Sequence, residues 1–369
     1  MKTLRLKQYL KMFMQNALLP FFYRVGRRKK VQPGLVVFAD SHHNDIPYSM
    51  EDLYQWFLNS DYQVVSMVRD CDGGHYLGGL YFMIRFMLLY ARAQYVFICD
   101  TFLPVASCRK RPETTVVQMW HAAGILKKYG YDAKRDIPAY YKGEVYRNYS
   151  VIITSGEACN RAYVSGMHAN PKTVKALGLS RTDRFFKESY VKTCLQRFYE
   201  QYPECKGRKI ALWAPTFRGN AAAPRSLEPE LAQRLERKLG DEWCVIMKLH
   251  PHMERYNEKQ QCRLSTEQLL PVADVLISDY SSVIFDYLIL EKPLVLYAPD
   301  LKEFEDRDQL YIDYHELPGT VVQTEKELAQ AVLHEYKNAS VEKIAKFRKA
   351  YMEACDGNAM EHLIEYLGL

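Results

Sequence analysis

VLISDYSSVIFDYLILEKPLVLY, residues 275–297, reads as one strand–turn–helix–strand unit. Val275–Ser278 is an apolar run of strand length, Ser278–Asp279–Tyr280 turns the chain, and a helix starts at Ser281–Ser282. That helix carries Phe285, Leu288 and Ile289 at helical spacing before Pro293 stops it and Leu294–Tyr297 forms the next strand. Strands joined by a helix lie parallel, so the unit predicts an α/β sheet covered by helices. Hydroxyl residues at a helix start gather exposed N–H groups and the positive dipole end, which suits an anion. A plain helix cap at Ser281 reads the same residues equally well.

The same alternation extends in both directions. Upstream strands are expected at Leu35–Phe38, Gln63–Val68, Tyr95–Cys99, Val116–Trp120, Val151–Thr154 and Thr173–Leu177. A second series comprises Lys209–Ala214, Cys244–Leu249, Val275–Ser278, Leu294–Tyr297 and Val321–Gln323. Helices are expected at Met50–Leu58 and over the apolar run Leu80–Tyr90, where Arg85 argues against a membrane span. The charged, aromatic stretch Lys187–Arg208 ends at the turn formers Pro203 and Gly207 and reads as a linker helix. The division is thus residues 1–32, a basic terminal segment; 33–186, a first α/β domain; 187–208, the linker; and 209–369, a second α/β domain. Doubly wound sheets take ligands at the carboxyl ends of their strands.

Size and composition agree with two domains. The chain has 369 residues, 48% hydrophobic and 25% charged, which excludes a disordered, collagenous or multi-span membrane protein. The formal charge of +6 is local: residues 1–30 carry nine bases and no acid, leaving 41 bases against 44 acids in the body. This argues against a nucleic-acid groove and for an anionic surface met at one end. In that segment Leu6, Tyr9, Leu10, Phe13, Met14 and Ala17 share an arc that Lys2 interrupts, and Pro20 is expected to end the helix. It is too short and charged to span a bilayer, so an in-plane helix on an anionic membrane surface is the expectation. Nine cysteines without a CxxC pair predict reduced thiols.

Several strand ends carry candidate chemistry. VVQMWHAAG, residues 116–124, delivers Trp120 and His121, and a histidine there can act as a general base. VIMKLHPH, residues 245–252, delivers Lys248, His250 and His252; no further ligands nearby support a metal, so His250 is read as a phosphate contact. Phosphate-facing bases are available at Lys127, Lys128, Arg218 in APTFRGN, and Arg307. Asp70 and Asp72 in RDCDGG are explained by the turn at Gly73–Gly74. GxxxxGK[ST], GxGxxG and GxSxG are absent, which removes support for a P-loop nucleotidase, an ordinary dinucleotide dehydrogenase and an α/β-hydrolase.

In order and spacing, these segments resemble the CDP-glycerol glycerophosphotransferase family of teichoic-acid primases and polymerases. The residues that carry the likeness span roughly 90–325. They are Val117–Gln118 with Trp120–His121, Pro215–Thr216 with Arg218, Lys248 with His250–Pro251, Asp279–Tyr280–Ser281–Ser282 with Phe285–Asp286, Lys292–Pro293, Tyr297 with Asp300, Arg307, and Pro318–Gly319. The sequence departs from the family pattern at Ala122, at Asp308 and at Ser180–Arg181–Thr182–Asp183.

The resemblance implies a GT-B fold, two Rossmann-like doubly wound domains facing across a cleft, with the nucleotide donor held mainly by the second. It implies transfer of glycerol phosphate from CDP-glycerol to a polyprenyl-diphosphate-linked saccharide acceptor at the cytoplasmic face of the cell membrane, with CMP released. A polymerase, a CDP-ribitol user and a nucleotide-sugar glycosyltransferase are the alternatives. His121 and His250 are implied as catalytic, and Trp120, Lys127, Thr216, Arg218, Lys248, Asp279, Ser281, Ser282, Asp286 and Arg307 as substrate-binding. No cofactor is required; a weakly bound magnesium ion (Mg) on the diphosphate is compatible with this reading.

Overall fold

The structure, a computed structural model, describes residues 2–71, 76–133, 136–216, 218–220, 223–225, 230–249 and 262–369. Chain contacts divide it into two compact units. The first holds residues 1–121, 129–181 and 354–369, and the second holds 122–128 and 182–353. This division is not linear. The segment after His121 joins the second unit, the C-terminal helix Ala359–Leu367 returns to the first, and the helix Glu188–Gln201, read as a linker, lies within the second.

The first unit is built on a six-stranded parallel sheet: β1 (Leu35–Asp40), β2 (Gln63–Val68), β3 (Tyr95–Ile98), β4 (Thr115–Gln118), β5 (Val151–Thr154) and β6 (Val174–Ala176). Their order is β2-β1-β3-β4-β5-β6. All six residues of β1 are buried, as expected for a central strand covered on both faces. The second unit has a five-stranded parallel sheet made of β7 (Lys209–Ala214), β10 (Trp243–Met247), β11 (Val275–Ser278), β12 (Leu294–Tyr297) and β13 (Thr320–Val322). Their order is β10-β7-β11-β12-β13. Between β7 and β10 lies an antiparallel hairpin, β8 (Arg218–Asn220) and β9 (Ala223–Arg225), which the sequence reading left out. Both sheets are doubly wound, with the strand order reversing between β1 and β3 in one and between β7 and β11 in the other.

The N-terminal segment departs from expectation at Pro20. A helix over Lys2–Phe13 passes through a π-helical turn, Met14–Leu18, into a second helix, Leu19–Gly26. Pro20 therefore falls in the first turn of a new helix, where its missing N–H costs little. Met12, Gln15, Leu19, Tyr23 and Gly26 face inward. Leu19 and Tyr23 join the core of the first unit with Phe86 and Tyr90 of the helix Tyr76–Tyr90. Gly26 permits that approach, because a Cβ there would stand 2.7 Å from the Ala91 Cβ. Leu6, Tyr9, Leu10 and Phe13 remain exposed on the outer side.

The thiols depart from expectation too. Cys205 and Cys244, with Cα atoms 5.8 Å apart, form a disulfide between the turn Pro203–Cys205 and β10. Their separation of 39 residues gives no spacing signal, so the fold alone makes the pair. The other seven cysteines are thiols.

Candidate active site

In the first unit the carboxyl ends of β1, β3 and β4 collect two imidazole–carboxylate pairs. His121 Nδ1 lies 3.3 Å from Asp100 Oδ2, and the imidazole is half exposed. Strand β4 ends at Gln118, two residues before the expected end, because the Gln118 side chain binds locally. Its amide donates to the Asp100 carbonyl at 3.0 Å and accepts from the Trp120 N–H at 3.0 Å. Trp120 then takes a left-handed backbone (φ 54°), a strained conformation of the sort that clusters at functional sites. Its buried indole packs against Tyr129, Tyr146 and Tyr163, and its ring centroid lies 4.7 Å from that of His121. The buried Arg181 donates to the His121 carbonyl at 2.7 Å and to Ser49 Oγ at 3.1 Å. The imidazole is thus presented outward on a backbone fixed from both sides.

The second pair was not singled out from sequence. Asp40, the buried last residue of β1, accepts from the backbone N–H groups of His42 and His43 and from His43 Nδ1, each within 2.9 Å. Burial alone would raise the Asp40 pKa, but the hydrogen bonds and charges of His43 and His42 outweigh it and hold it low. The hydrogen bond that His43 donates to Asp40 raises the His43 pKa against burial, helped by the charges of Asp40, Asp100 and Asp70. His43 therefore contributes stability that is full below the ordinary histidine pKa and fades as pH rises through its raised folded value. Asp40 contributes above the ordinary aspartate pKa and loses its contribution as pH falls through its depressed one. His43→Asn should lower the denaturant midpoint at about pH 6 and much less at about pH 9. A deficit equal at both values would show that the pair is not ionic.

In the second unit the ends of β7, β11 and β12 meet in one buried network. Asp279 accepts from Thr216 N–H (2.9 Å), Thr216 Oγ1 (2.8 Å), its neighbour Tyr280 N–H (2.7 Å) and Arg218 (2.7 Å). Arg218 also grips Asp300 with two nitrogens, at 2.6 and 2.9 Å, and donates to the Thr216 carbonyl. The pKa of Arg218 is raised: burial opposes the charge, and Asp300 and Asp279 overcome it. That of Asp300 is lowered, since Arg218 and the Tyr280 hydroxyl outweigh its burial. Tyr314 donates its hydroxyl to the Asp279 carbonyl at 3.0 Å. Thr216, Arg218 and Asp279 were expected on the substrate. Here their polar groups bind one another, and Asp279, at 1% exposure, presents no face to a ligand.

Other expected residues fall around this network. Tyr280 stacks on Phe304 with centroids 3.6 Å apart, and two exposed bases stand at the same Phe304 ring: Arg307 at 5.4 Å and Lys127 at 6.0 Å. Lys127 reaches it because its segment pairs with residues 309–311, through a bridge to Leu310 and a hydrogen bond from Tyr311 N–H to the Leu126 carbonyl. Gly124 (φ 61°) seats that segment, since a Cβ would lie 2.1 Å from the Phe285 ring. Lys128 Nζ donates to Gln309 Oε1 at 3.1 Å.

The helix after β11 starts at Val283 and is short, Val283–Leu288. Ser281 Oγ accepts from Val283 N–H at 3.3 Å, whereas the Ser282 side chain makes no capping bond. Asp286 is buried within this helix. Lys248 is buried and donates to the Cys262 carbonyl at 3.1 Å. His250, with Pro251 and His252, lies outside the described residues, as do Asp72, Gly73 and Gly74. Among the described residues no cluster of three His, Cys, Asp or Glu could hold a metal, and no helix is long and apolar enough to cross a membrane.

Comparison with known proteins bears on these strand ends. The family model described as CDP-glycerol:poly(glycerophosphate) glycerophosphotransferase matches residues 21–368. The teichoic acid poly(ribitol-phosphate) polymerase of Bacillus spizizenii is 29% identical over 96% of this chain, which spans 59% of that protein. The teichoic acid ribitol-phosphate primase of the same organism is 28% identical over 91% of each chain. The solved structure of the wall teichoic acid polymerase TagF superposes with a TM-score of 0.72 at 17% identity, covering 100% of this chain and 96% of that one. That likeness shows the two-sheet GT-B type of fold.

Proposed function

The chain belongs to the CDP-glycerol:poly(glycerophosphate) glycerophosphotransferase family, and from that premise we propose that it transfers a polyol phosphate from a CDP-linked donor to a lipid-linked saccharide, releasing CMP, in teichoic-acid or related polymer synthesis. Glycerol phosphate is the first reading, from the family's description. Ribitol phosphate is the second, favoured by the activities named for the two relatives above. The observation that carries the reading is the outward imidazole of His121, held through Nδ1 by Asp100 at the end of a central strand.

The acceptor hydroxyl oxygen attacks the phosphorus that bears the polyol. Its bond forms as the bond to the bridging oxygen breaks, and CMP leaves with the electron pair. His121 takes the hydroxyl proton on the nitrogen not facing Asp100, and Asp100 stabilises the imidazolium that results. Phosphoryl transfer depends mostly on positioning and charge neutralisation. Lys127 and Arg307, with the Ser281–Ser282 turn and His250, are assigned to the donor diphosphate, and the Arg218 network keeps that turn in place. No cofactor is required in this proposal, although a magnesium ion loosely held by the diphosphate is compatible with it; turnover retained in EDTA supports the metal-free reading, and turnover lost in EDTA contradicts it. Incubation with CDP-glycerol, CDP-ribitol and UDP-sugars in parallel tests the donor: CMP from one of the first two supports the reading, and UDP alone sinks it.

Peripheral attachment to an anionic membrane is part of the proposal, supported by the exposed Leu6, Tyr9, Leu10 and Phe13 on a base-rich helix. Removing the whole segment would also remove Leu19 and Tyr23 from the core. The sharper variant replaces Leu6, Tyr9, Leu10 and Phe13 with serine. It should lose most sedimentation with anionic liposomes while keeping its thermal midpoint; unchanged sedimentation contradicts the attachment.

A further inference from the structure

At the carboxyl end of β2 lies a cavity of about 590 Å³ that neither the imidazole pairs nor the Arg218 network uses. Its walls include Asn44, Arg69, Asp70, Tyr81, Phe82 and Arg85. Two guanidinium groups thus face one space, and neither has a carboxylate partner among the described residues. The acidic residue of the wall, Asp70, donates its N–H to Asn44 Oδ1 at 3.2 Å, and its charge acts on His43.

The helix Tyr76–Tyr90 is shaped to this arrangement. A Cβ on Gly78 would stand 2.5 Å from an Arg69 nitrogen, so the glycine leaves room for the guanidinium against the helix. Arg85 lies over the Tyr81 ring at 5.8 Å. Residues 77, 81 and 85 follow one another at i, i+4, i+8 and form a single stripe along the helix. The stripe runs from Leu77, 85% exposed, through Tyr81, 61% exposed, to the cation Arg85. An exposed apolar track ending at paired cations matches a molecule that is anionic at one end and hydrocarbon at the other.

We infer that this cavity binds the phosphate or diphosphate head of an amphiphile, with Arg69 and Arg85 on the phosphate oxygens and the hydrocarbon along Tyr81 and Leu77. Two sources share that chemistry: the diphosphate of a lipid-linked acceptor, and a phospholipid of the bilayer. Assignment to the acceptor rests on the function proposed above; the site itself does not.

The test is calorimetric titration of the full chain with farnesyl diphosphate, with farnesol and inorganic pyrophosphate as partial ligands, and a sedimentation arm with phosphatidylglycerol vesicles. Farnesyl diphosphate should bind more tightly than either part. The double variant Arg69→Gln, Arg85→Gln should weaken it by about ten-fold or more per guanidinium. Gly78→Ala keeps both charges and displaces only the flexible Arg69 head, so it should weaken binding at an unchanged thermal midpoint. Loss of farnesyl diphosphate binding assigns the cavity to a diphosphate lipid, and loss of vesicle binding alone assigns it to the bilayer. Undiminished binding of both in the double variant overturns the site, as does pyrophosphate binding as tight as farnesyl diphosphate. A wild-type chain that binds farnesyl diphosphate yet transfers nothing would overturn the function and leave the site standing.

Discussion

Replacing His121 with alanine is expected to lower turnover by about 10²–10⁴-fold, the usual contribution of a positioned general base. The thermal midpoint should barely move. The His121 side chain is half exposed, and its contacts are the Asp100 carboxylate and the face of Trp120, so little packing is lost. The loss should fall on kcat, because the imidazole acts on a proton that moves in the transition state. Asp100→Asn should give a smaller loss of turnover, since the amide cannot stabilise an imidazolium as a carboxylate does. Near wild-type kcat in His121→Ala would remove the base assignment and leave the family and fold untouched.

Arg218→Ala should destabilise the second unit by about 3–5 kcal/mol, the range for stripping one partner from a buried ion pair. It leaves the Asp279 carboxylate buried beside Asp300 without the guanidinium that joins them. Arg218→Lys should recover only part of this, because a single ammonium cannot span two carboxylates as the planar fork does. The Asp300 pKa is depressed in the folded chain, so its contribution is present above the ordinary aspartate pKa and disappears as pH falls through the folded value. The gap between wild type and Arg218→Ala should therefore close in acid. Urea unfolding at neutral pH and below pH 4 checks both points; a cost below about 1 kcal/mol would mean that solvent screens the network as it does a surface pair.

The parallel sheets were legible because their strands are short apolar or β-branched runs bounded by turn residues. Gln63–Val68, Val151–Thr154, Lys209–Ala214, Val275–Ser278 and Leu294–Tyr297 have the same bounds in the sequence reading and in the structure. What periodicity does not encode is a side chain that binds the backbone. Gln118 ends β4 early and turns Trp120 into a left-handed conformation, while a hydrophobic run continues past that point. Pro20 reads as a helix stop, but a new helix starts at Leu19 after the π turn, so the proline falls in a first turn where its missing N–H costs little.

The site was legible as strand-end residues and less so as partnerships. His121 is read from its place after β4, but its partner Asp100 follows a different strand, β3, and no local motif ties the two. An acidic residue at or just past the end of a central strand was the available signal, and it points to Asp40 with His43 as well. Arg218 reads as a phosphate-facing base because its charge follows a strand, and Asp279 is placed on the substrate only by the family likeness. Their pairing with each other and with Asp300 spans 61 and 82 residues of sequence, a distance only the folded sheet closes.

Mass analysis of the acceptor lipid tests the central claim most directly. After incubation with a polyprenyl-diphosphate-linked saccharide and CDP-glycerol or CDP-ribitol, the lipid should gain one or more polyol phosphates, with CMP released in equal amount. A lipid that gains a sugar from a nucleotide sugar, or stays unmodified with both CDP donors, would contradict polyol-phosphate transfer.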